Sequence, residues 1–295
     1  VRSGPLFAQN HLTHFWARLK AFVALTVLLM CASCAPITSA TDTDRVLFVG
    51  NSLTYVGNTP AIVSALGAAN GKPIASDMIV KGGATLSERV ADGAVERVLE
   101  GADYYALVLQ ERGGELMCSF GPDSCAESRR AIAVLAALGE ERGVHVFLLG
   151  TYQRHPAASR YLVERESLAA QEAGIPYIEV SETLQRLLET EPGLSWFADD
   201  GVHPGKHLAL LNAVVVHRAL HRTLPEPLPL TVKAPIYGTT SGVTEDLRSA
   251  QGPPPLPDTP TEISYSPDTL KRLLAYISNE TGIDDVRNDQ ADARR

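Results

Sequence analysis

The chain has 295 residues, of which 45% are hydrophobic and 20% charged, fractions ordinary for a globular protein and unlike those of a disordered or collagen-like one. Lys and Arg number 26 against 34 Asp and Glu, for a formal net charge of −8, and no Lys/Arg run reverses that balance locally. This argues against nucleic acid as the main partner, since proteins that bind its backbone carry a basic surplus. The length suits one large domain or two small ones, with an ample buried core.

The first feature along the chain is an uninterrupted apolar run, Ala21–Met30, with Arg18 and Lys20 before it and Ala32, Ser33, Ala35, Ser39 and Ala40 after it. A positive flank, a short apolar core and a small-residue exit are the parts of a secretory signal peptide. The run falls short of the roughly 20 residues that span a bilayer. It also lacks the polar interruptions of an amphipathic helix buried in a folded domain. The exit, Cys31-Ala32-Ser33-Cys34, resembles a bacterial lipobox, which implies lipidation of Cys34 and membrane anchoring. Cys31 stands where Leu is usual, and plain cleavage near Ala40 is the rival reading. Residues 1–40 are therefore expected to be a leader, and the protein to be exported to the periplasm or cell surface.

From Arg45 onward short apolar runs alternate with helix-like stretches. Strands are predicted at 45–49, 74–80, 104–109, 144–149 and 176–180. Helices are predicted at 59–70, with Pro60 in the first turn and Gly71 at the end, and at 86–99, 126–142, 159–173, 181–190 (capped by Ser181) and 206–220. Strands without clean polar alternation, separated by helices, imply a parallel sheet covered on both faces. The expected fold is α/β: one doubly wound, flavodoxin-like domain of about five strands over residues 44–222, with its chemistry at the carboxyl ends of the strands. Beyond Thr223 the chain is rich in Pro and Gly. Residues 224–260 read as a linker or surface wrap, and one short helix is predicted at 268–278, so 223–295 is expected as a carboxyl-terminal extension.

Cys118 and Cys125 are the only cysteines after the leader, in the stretch CSFGPDSC. In an oxidising compartment they suggest a disulfide. Zinc is a weaker reading because no second Cys/His pair lies near in sequence, and Cys118 as a nucleophile is weaker still.

Two segments carry the chemistry. The first strand runs into Gly50-Asn51-Ser52-Leu53-Thr54, which sets a hydroxyl at a strand end. It is neither Gly-x-Ser-x-Gly, because Thr54 replaces the second glycine, nor a phosphate loop. The second segment is Asp200-Gly201-Val202-His203-Pro204. A carboxylate three residues before an imidazole on a turn can fix the tautomer and leave the other ring nitrogen free as a base. Pro204 biases His203 towards an extended backbone, hence a loop. Ser52, His203 and Asp200 then supply nucleophile, base and orienter. Asp199, four residues from His203, is the nearest rival to Asp200.

These blocks, Gly50–Leu53 and Asp200–His203, resemble those of the SGNH (GDSL-type) hydrolase superfamily and stand in the same order, over about residues 45–222; Asn51 stands where Asp is commoner. The resemblance implies an oxyanion hole made of the Ser52 N–H, a glycine N–H after the second strand (Gly83 favoured over Gly82) and an amide after the third strand. The usual Gly-x-Asn-Asp is absent there, and Gln110 is expected in the amide's role. It implies a serine esterase that needs no metal or organic cofactor and acts on a small-molecule or saccharide ester, including a carbohydrate O-acetyl ester, although no run of exposed aromatics marks a sugar platform. A lipase or thioesterase of the same mechanism, and an inactive ligand-binding lipoprotein on the same fold, are the alternatives. The pairs His203/His207 and His217/His221 have metal-ligand spacing, but Pro204 and Gly205 interrupt the first and the second lies at a helix end, where histidine is favoured anyway. His145 reads as a core residue and His155 as a loop residue. Glu111, Arg112 and Arg154 fall near strand ends, where solvated charge is the commoner outcome.

Overall fold

A computed structural model describes residues 43–277. The leader, with Cys34, and residues 278–295 lie outside the described residues. Five strands, β1 (Asp44–Gly50), β2 (Ile74–Lys81), β3 (Ala106–Leu109), β4 (His145–Leu149) and β5 (Tyr177–Ile178), pair in parallel in the order β5-β4-β3-β1-β2. That is the flavodoxin-like order expected from the sequence. A further strand, β7 (Thr244–Ser249), adds antiparallel to the outer edge of β2.

The apolar strands are continuous because the sheet is buried on both sides. Within β1, Val46 and Phe48 face one core, and Leu47 and Val49 the other. The first core is covered by α2 (Thr59–Ala69), α7 (Ser181–Thr190) and α8 (Lys206–His221). The second is covered by α3 (Leu86–Ala91), α4 (Ala94–Gly101), α5 (Pro122–Glu141) and α6 (Pro156–Ala173). A short helix, α1 (Ser52–Tyr55), starts directly after β1.

Several elements depart from expectation for local reasons. The predicted helix 86–99 is two helices, broken at Gly93, which adopts φ +65°. Arg89 pairs with Asp92 at the break (2.7 Å). Ser181 does not cap α7; its hydroxyl accepts from the Gln153 N–H and shares a hydrogen bond with Ser159. Helix α6 starts three residues early because His155 caps it, Nδ1 accepting from the Ala157 N–H.

The largest departure is beyond Thr223. The stretch read as a wrap holds β6 (Leu230–Lys233) as well as β7. Strand β6 pairs antiparallel with β8 (Glu262–Tyr265), and α9 (Pro267–Ile277) follows. Leu230, Val232, Tyr237, Tyr265, Leu270, Leu273 and Ile277 are buried in the first core. Asn58 fastens the segment by donating to the carbonyls of Pro235 (2.8 Å) and Ala250 (2.9 Å). Pro and Gly density reports missing regular hydrogen bonding, and it does not report whether the intervening Leu, Val and Tyr find a surface to cover.

Because Leu273 is buried, Leu273→Ala is expected to destabilise the protein by about 2–5 kcal/mol in urea unfolding. A mobile extension would show almost no change.

Candidate active site

The site is assembled at the carboxyl ends of β1, β2 and β3. Asn51, directly after β1, is buried, and its side chain makes three bonds. Oδ1 accepts the Leu53 N–H (3.0 Å) and so caps α1. Nδ2 donates to the carbonyls of Ala84 (3.2 Å) and Gln110 (3.4 Å). The loop after β2 and the end of β3 are thereby tied to the base of the Ser52 turn. An amide is suited to this place, since two of the three contacts need donors and a carboxylate has none. Gly50 admits the turn: a Cβ there would collide with the Thr54 hydroxyl and lie 3.1 Å from the Gln110 carbonyl oxygen.

Ser52 is half-buried, and its Oγ lies 2.9 Å from His203 Nε2. His203 Nδ1 lies 2.5 Å from Asp200 Oδ2. Asp200 Oδ1 accepts the N–H groups of Val202 (2.9 Å) and His203 (3.0 Å). Burial alone would raise the Asp200 carboxyl, but those N–H groups and the His203 ring outweigh it and hold it down at about 2. An ionised Asp200 keeps the proton on Nδ1, leaving Nε2 to accept from the Ser52 hydroxyl. Asp199 is exposed and takes no part in this chain.

The His203 loop is fixed from several sides. Ala198 N–H donates to the His203 carbonyl (2.9 Å), Gly205 N–H to Trp196 (2.8 Å) and the Tyr152 hydroxyl to Val202 (2.9 Å). Gly205 is confined by sterics, since a Cβ would lie 2.6 Å from the Ser195 carbonyl oxygen. Arg154, exposed, lays its guanidinium over Phe197 (4.9 Å) beside the loop.

Gly83 follows β2 with φ +72° and is exposed. Among the described residues neither its N–H nor that of Ser52 donates to a protein acceptor. Gln110 is placed differently from the expected donor. Its Oε1 accepts the Thr54 hydroxyl (2.8 Å), its Nε2 donates to the Gly150 carbonyl (3.3 Å), and the residue is 1% exposed. The carboxamide braces α1 and the ends of β3 and β4.

Glu111 is buried and not a solvated charge. It accepts the N–H groups of Leu86 (3.2 Å) and Arg112 (2.7 Å) and the Ser128 hydroxyl. Burial pushes its carboxyl up to about 7, against the pull of these donors. Arg112 pairs with the buried Glu115 (2.5 Å). Cys118 and Cys125 are disulfide-bonded, closing the loop between β3 and α5. Among the described residues no group of three or more His, Cys, Asp or Glu is placed to hold a metal ion. His207 Nδ1 accepts the Ser195 N–H (2.9 Å), and the rings of His217 and His221 are packed edge to face at the end of α8. Burial, with His221 and Lys72 nearby, depresses His217 to about 4.

No protein-family model matches the chain, and no curated protein matches it. Solved structures resemble it. A protein assigned as an SGNH hydrolase, from Slackia heliotrinireducens, is 22% identical with a TM-score of 0.49, over 60% of this chain and 98% of that one. A DUF4886 family protein from Bacteroides uniformis is 17% identical with a TM-score of 0.50, over 62% of this chain and 84% of that one. An acetylxylan esterase from Geobacillus stearothermophilus is 15% identical with a TM-score of 0.45, over 61% of this chain and 93% of that one. At such identities the likeness is one of fold, and the fold is the α/β architecture that the SGNH (GDSL-type) resemblance implies.

Glu111 makes a signed prediction. Its raised carboxyl holds a proton in the folded chain that the unfolded chain releases above about 4.5. Its contribution to stability is therefore present below that pH and lost as pH rises through about 7. Measured by urea unfolding, wild type should lose stability relative to Glu111→Gln between those two pH values and run parallel to it above them.

Proposed function

We propose that the protein is an SGNH-type serine esterase that cleaves a carboxylic ester through an acyl-enzyme on Ser52. The observation that carries this reading is the hydrogen-bonded chain Ser52–His203–Asp200, joined across 151 positions of sequence at the rim of an α/β sheet. The order of the Gly50–Leu53 and Asp200–His203 blocks supports it.

Ser52 Oγ attacks the ester carbonyl carbon while its proton passes to His203 Nε2. The imidazolium is stabilised by Asp200, which stays ionised. Negative charge develops on the former carbonyl oxygen, where the free N–H groups of Ser52 and Gly83 are the available donors. Each such donor is worth about 2.7–4 kcal/mol to a transition state. Collapse of the tetrahedral intermediate breaks the bond to the alcohol oxygen, which takes the proton from Nε2 and leaves. Water then attacks the acyl-serine, gives one proton to Nε2 and expels Ser52 Oγ, which takes that proton back, and the carboxylic acid departs. With Gln110 bracing the strand ends, this oxyanion hole rests on two backbone donors.

Export, with anchoring through a lipidated Cys34, belongs to the same proposal and rests on the leader sequence alone; lipid labelling lost in Cys34→Ala would support it.

Ser52→Ala is expected to remove hydrolysis of 4-nitrophenyl acetate and labelling by a fluorophosphonate, with unchanged unfolding. Turnover near wild type in that variant would rule out Ser52. Asp200→Asn, which permits the wrong imidazole tautomer, should lower kcat by about four orders of magnitude, the size of effect such a change has in a Ser-His-Asp triad.

A further inference from the structure

Glu111 takes no part in the reaction above, but it holds the chain that leaves the Gly83 turn. That turn, Lys81-Gly82-Gly83-Ala84, is closed by the Ala84 N–H donating to the Lys81 carbonyl (3.1 Å). Gly83 has φ +72° and Gly82 lies outside the positive region, the combination of a type II turn. The turn lies against the segment that carries the nucleophile. A Cβ at Gly82 would lie 3.2 Å from the Tyr55 hydroxyl, and the Ala84 carbonyl accepts from Asn51 (3.2 Å), the residue before Ser52. Both neighbours of Gly83 are thus placed against Asn51–Tyr55.

The tip of the turn cannot hold itself. Lys81, Gly82 and Gly83 are exposed, and two consecutive glycines combine the freest backbone with no side chain to pack. The direction of the Gly83 N–H therefore depends on how the two ends of the turn are fixed. On one side Lys81 ends the ladder, opposite Thr244 of β7. On the other side the chain runs through Ala84 to Leu86, which is buried and opens α3.

An N–H in the first turn of a helix has no acceptor within the helix. That of Leu86 donates to Glu111, 3.2 Å from Oε1 and 3.3 Å from Oε2. The carboxylate is itself immobilised: Oε1 accepts the Arg112 N–H (2.7 Å), Oε2 accepts the Ser128 hydroxyl of α5, and the residue is 1% exposed. Glu111 thereby ties the loop after β2 to the loop after β3 and to α5.

We propose that Glu111 is a positioning residue for ester hydrolysis. By accepting the Leu86 N–H it fixes the far end of the Gly83 turn, and with it the aim of the Gly83 N–H at the developing oxyanion. The requirement is an acceptor at the reach of Oε1, and not a negative charge. The catalytic consequence rests on the esterase reading, whereas the hold on the turn does not.

Three variants test the role. Glu111→Leu, similar in size but without an acceptor, should lower kcat for 4-nitrophenyl acetate by about tenfold to a hundredfold, the scale of a misplaced donor, with KM changed by less than about twofold. Glu111→Gln should recover most of that rate, because its Oε1 can still accept from Leu86 and Arg112 while Nε2 donates to the Ser128 hydroxyl oxygen. Glu111→Asp, charged but shorter, should lose rate as Glu111→Leu does. In proton–nitrogen spectra the Gly83 amide should move in Glu111→Leu and Glu111→Asp and return in Glu111→Gln, while the downfield His203 Nδ1 proton stays in place in all three. Wild-type kcat in Glu111→Asp, equal losses in Glu111→Gln and Glu111→Asp, an unmoved Gly83 amide, or a loss carried by KM would overturn the role. If urea unfolding shows that Glu111→Leu does not fold, Glu111→Gln against Glu111→Asp decides. Failure of wild-type Ser52 to react with a fluorophosphonate would instead overturn the esterase reading, and the Gly83 amide would still report whether Glu111 holds the turn.

Discussion

The buried side chain of Asn51 is the contact on which the geometry of the site depends. Parallel pairing of β1 between β2 and β3 brings three strand ends to one edge, but pairing alone leaves the loops beyond those ends free to choose their paths. Asn51 removes that freedom. One amide oxygen starts the helix that carries Ser52, and one amide nitrogen fastens the carbonyls of Ala84 and Gln110. Through the Ala84 carbonyl this node also anchors the loop that carries Gly83. Gly50 leaves room for the Thr54 hydroxyl to reach Gln110, which ties the same turn to β4 through Gly150.

Around that node the molecule separates rigid support from chemistry. Glu111 and Glu166 show the method: each is a buried carboxylate surrounded by donors, Glu111 just past the end of β3 and Glu166 on helix α6, where it holds Thr151 beyond the end of β4. Glu111 receives Leu86, Arg112 and Ser128, while Glu166 receives the Thr151 N–H (3.0 Å) and hydroxyl (2.6 Å) and the Tyr177 hydroxyl (2.8 Å). Burial raises both to about 7, the cost of holding loops with buried acids. Asp200 is the opposite case. It is partly exposed, burial is outweighed by its donors, and it remains ionised beside His203. Asp200, beside the imidazole, is thus held ionised, whereas burial draws Glu111 and Glu166 towards neutrality.

The carboxyl-terminal segment completes the same edge. Tyr237 packs edge to face against Tyr55 at the end of α1 (6.1 Å between centroids), and Gly57 N–H donates to the Tyr237 carbonyl (2.9 Å). The segment therefore packs against the end of the helix that begins at Ser52.

The sequence alone determined whatever depends on neighbours a few positions apart. Strand and helix periods gave the α/β order, because burial on both faces writes itself into continuous apolar runs. The Asp200–His203 contact was legible because three residues of turn bring carboxylate to imidazole, and the Cys118–Cys125 pairing because so few residues separate the two. Only the tertiary structure decided matters that turn on partners far away in the chain. Gln110 has the right chemistry for an oxyanion donor, and its role is set by Thr54 and Gly150. Glu111 reads as a loop charge, and its burial is set by Leu86 and Ser128. Residues 224–260 read as a linker or wrap, yet β7 forms on the open edge of β2, and β6, paired with β8, lays Leu230 and Val232 on the first core. The physical reason is common to all three: a local pattern records which surfaces a segment can offer, and folding decides which of them meets a partner.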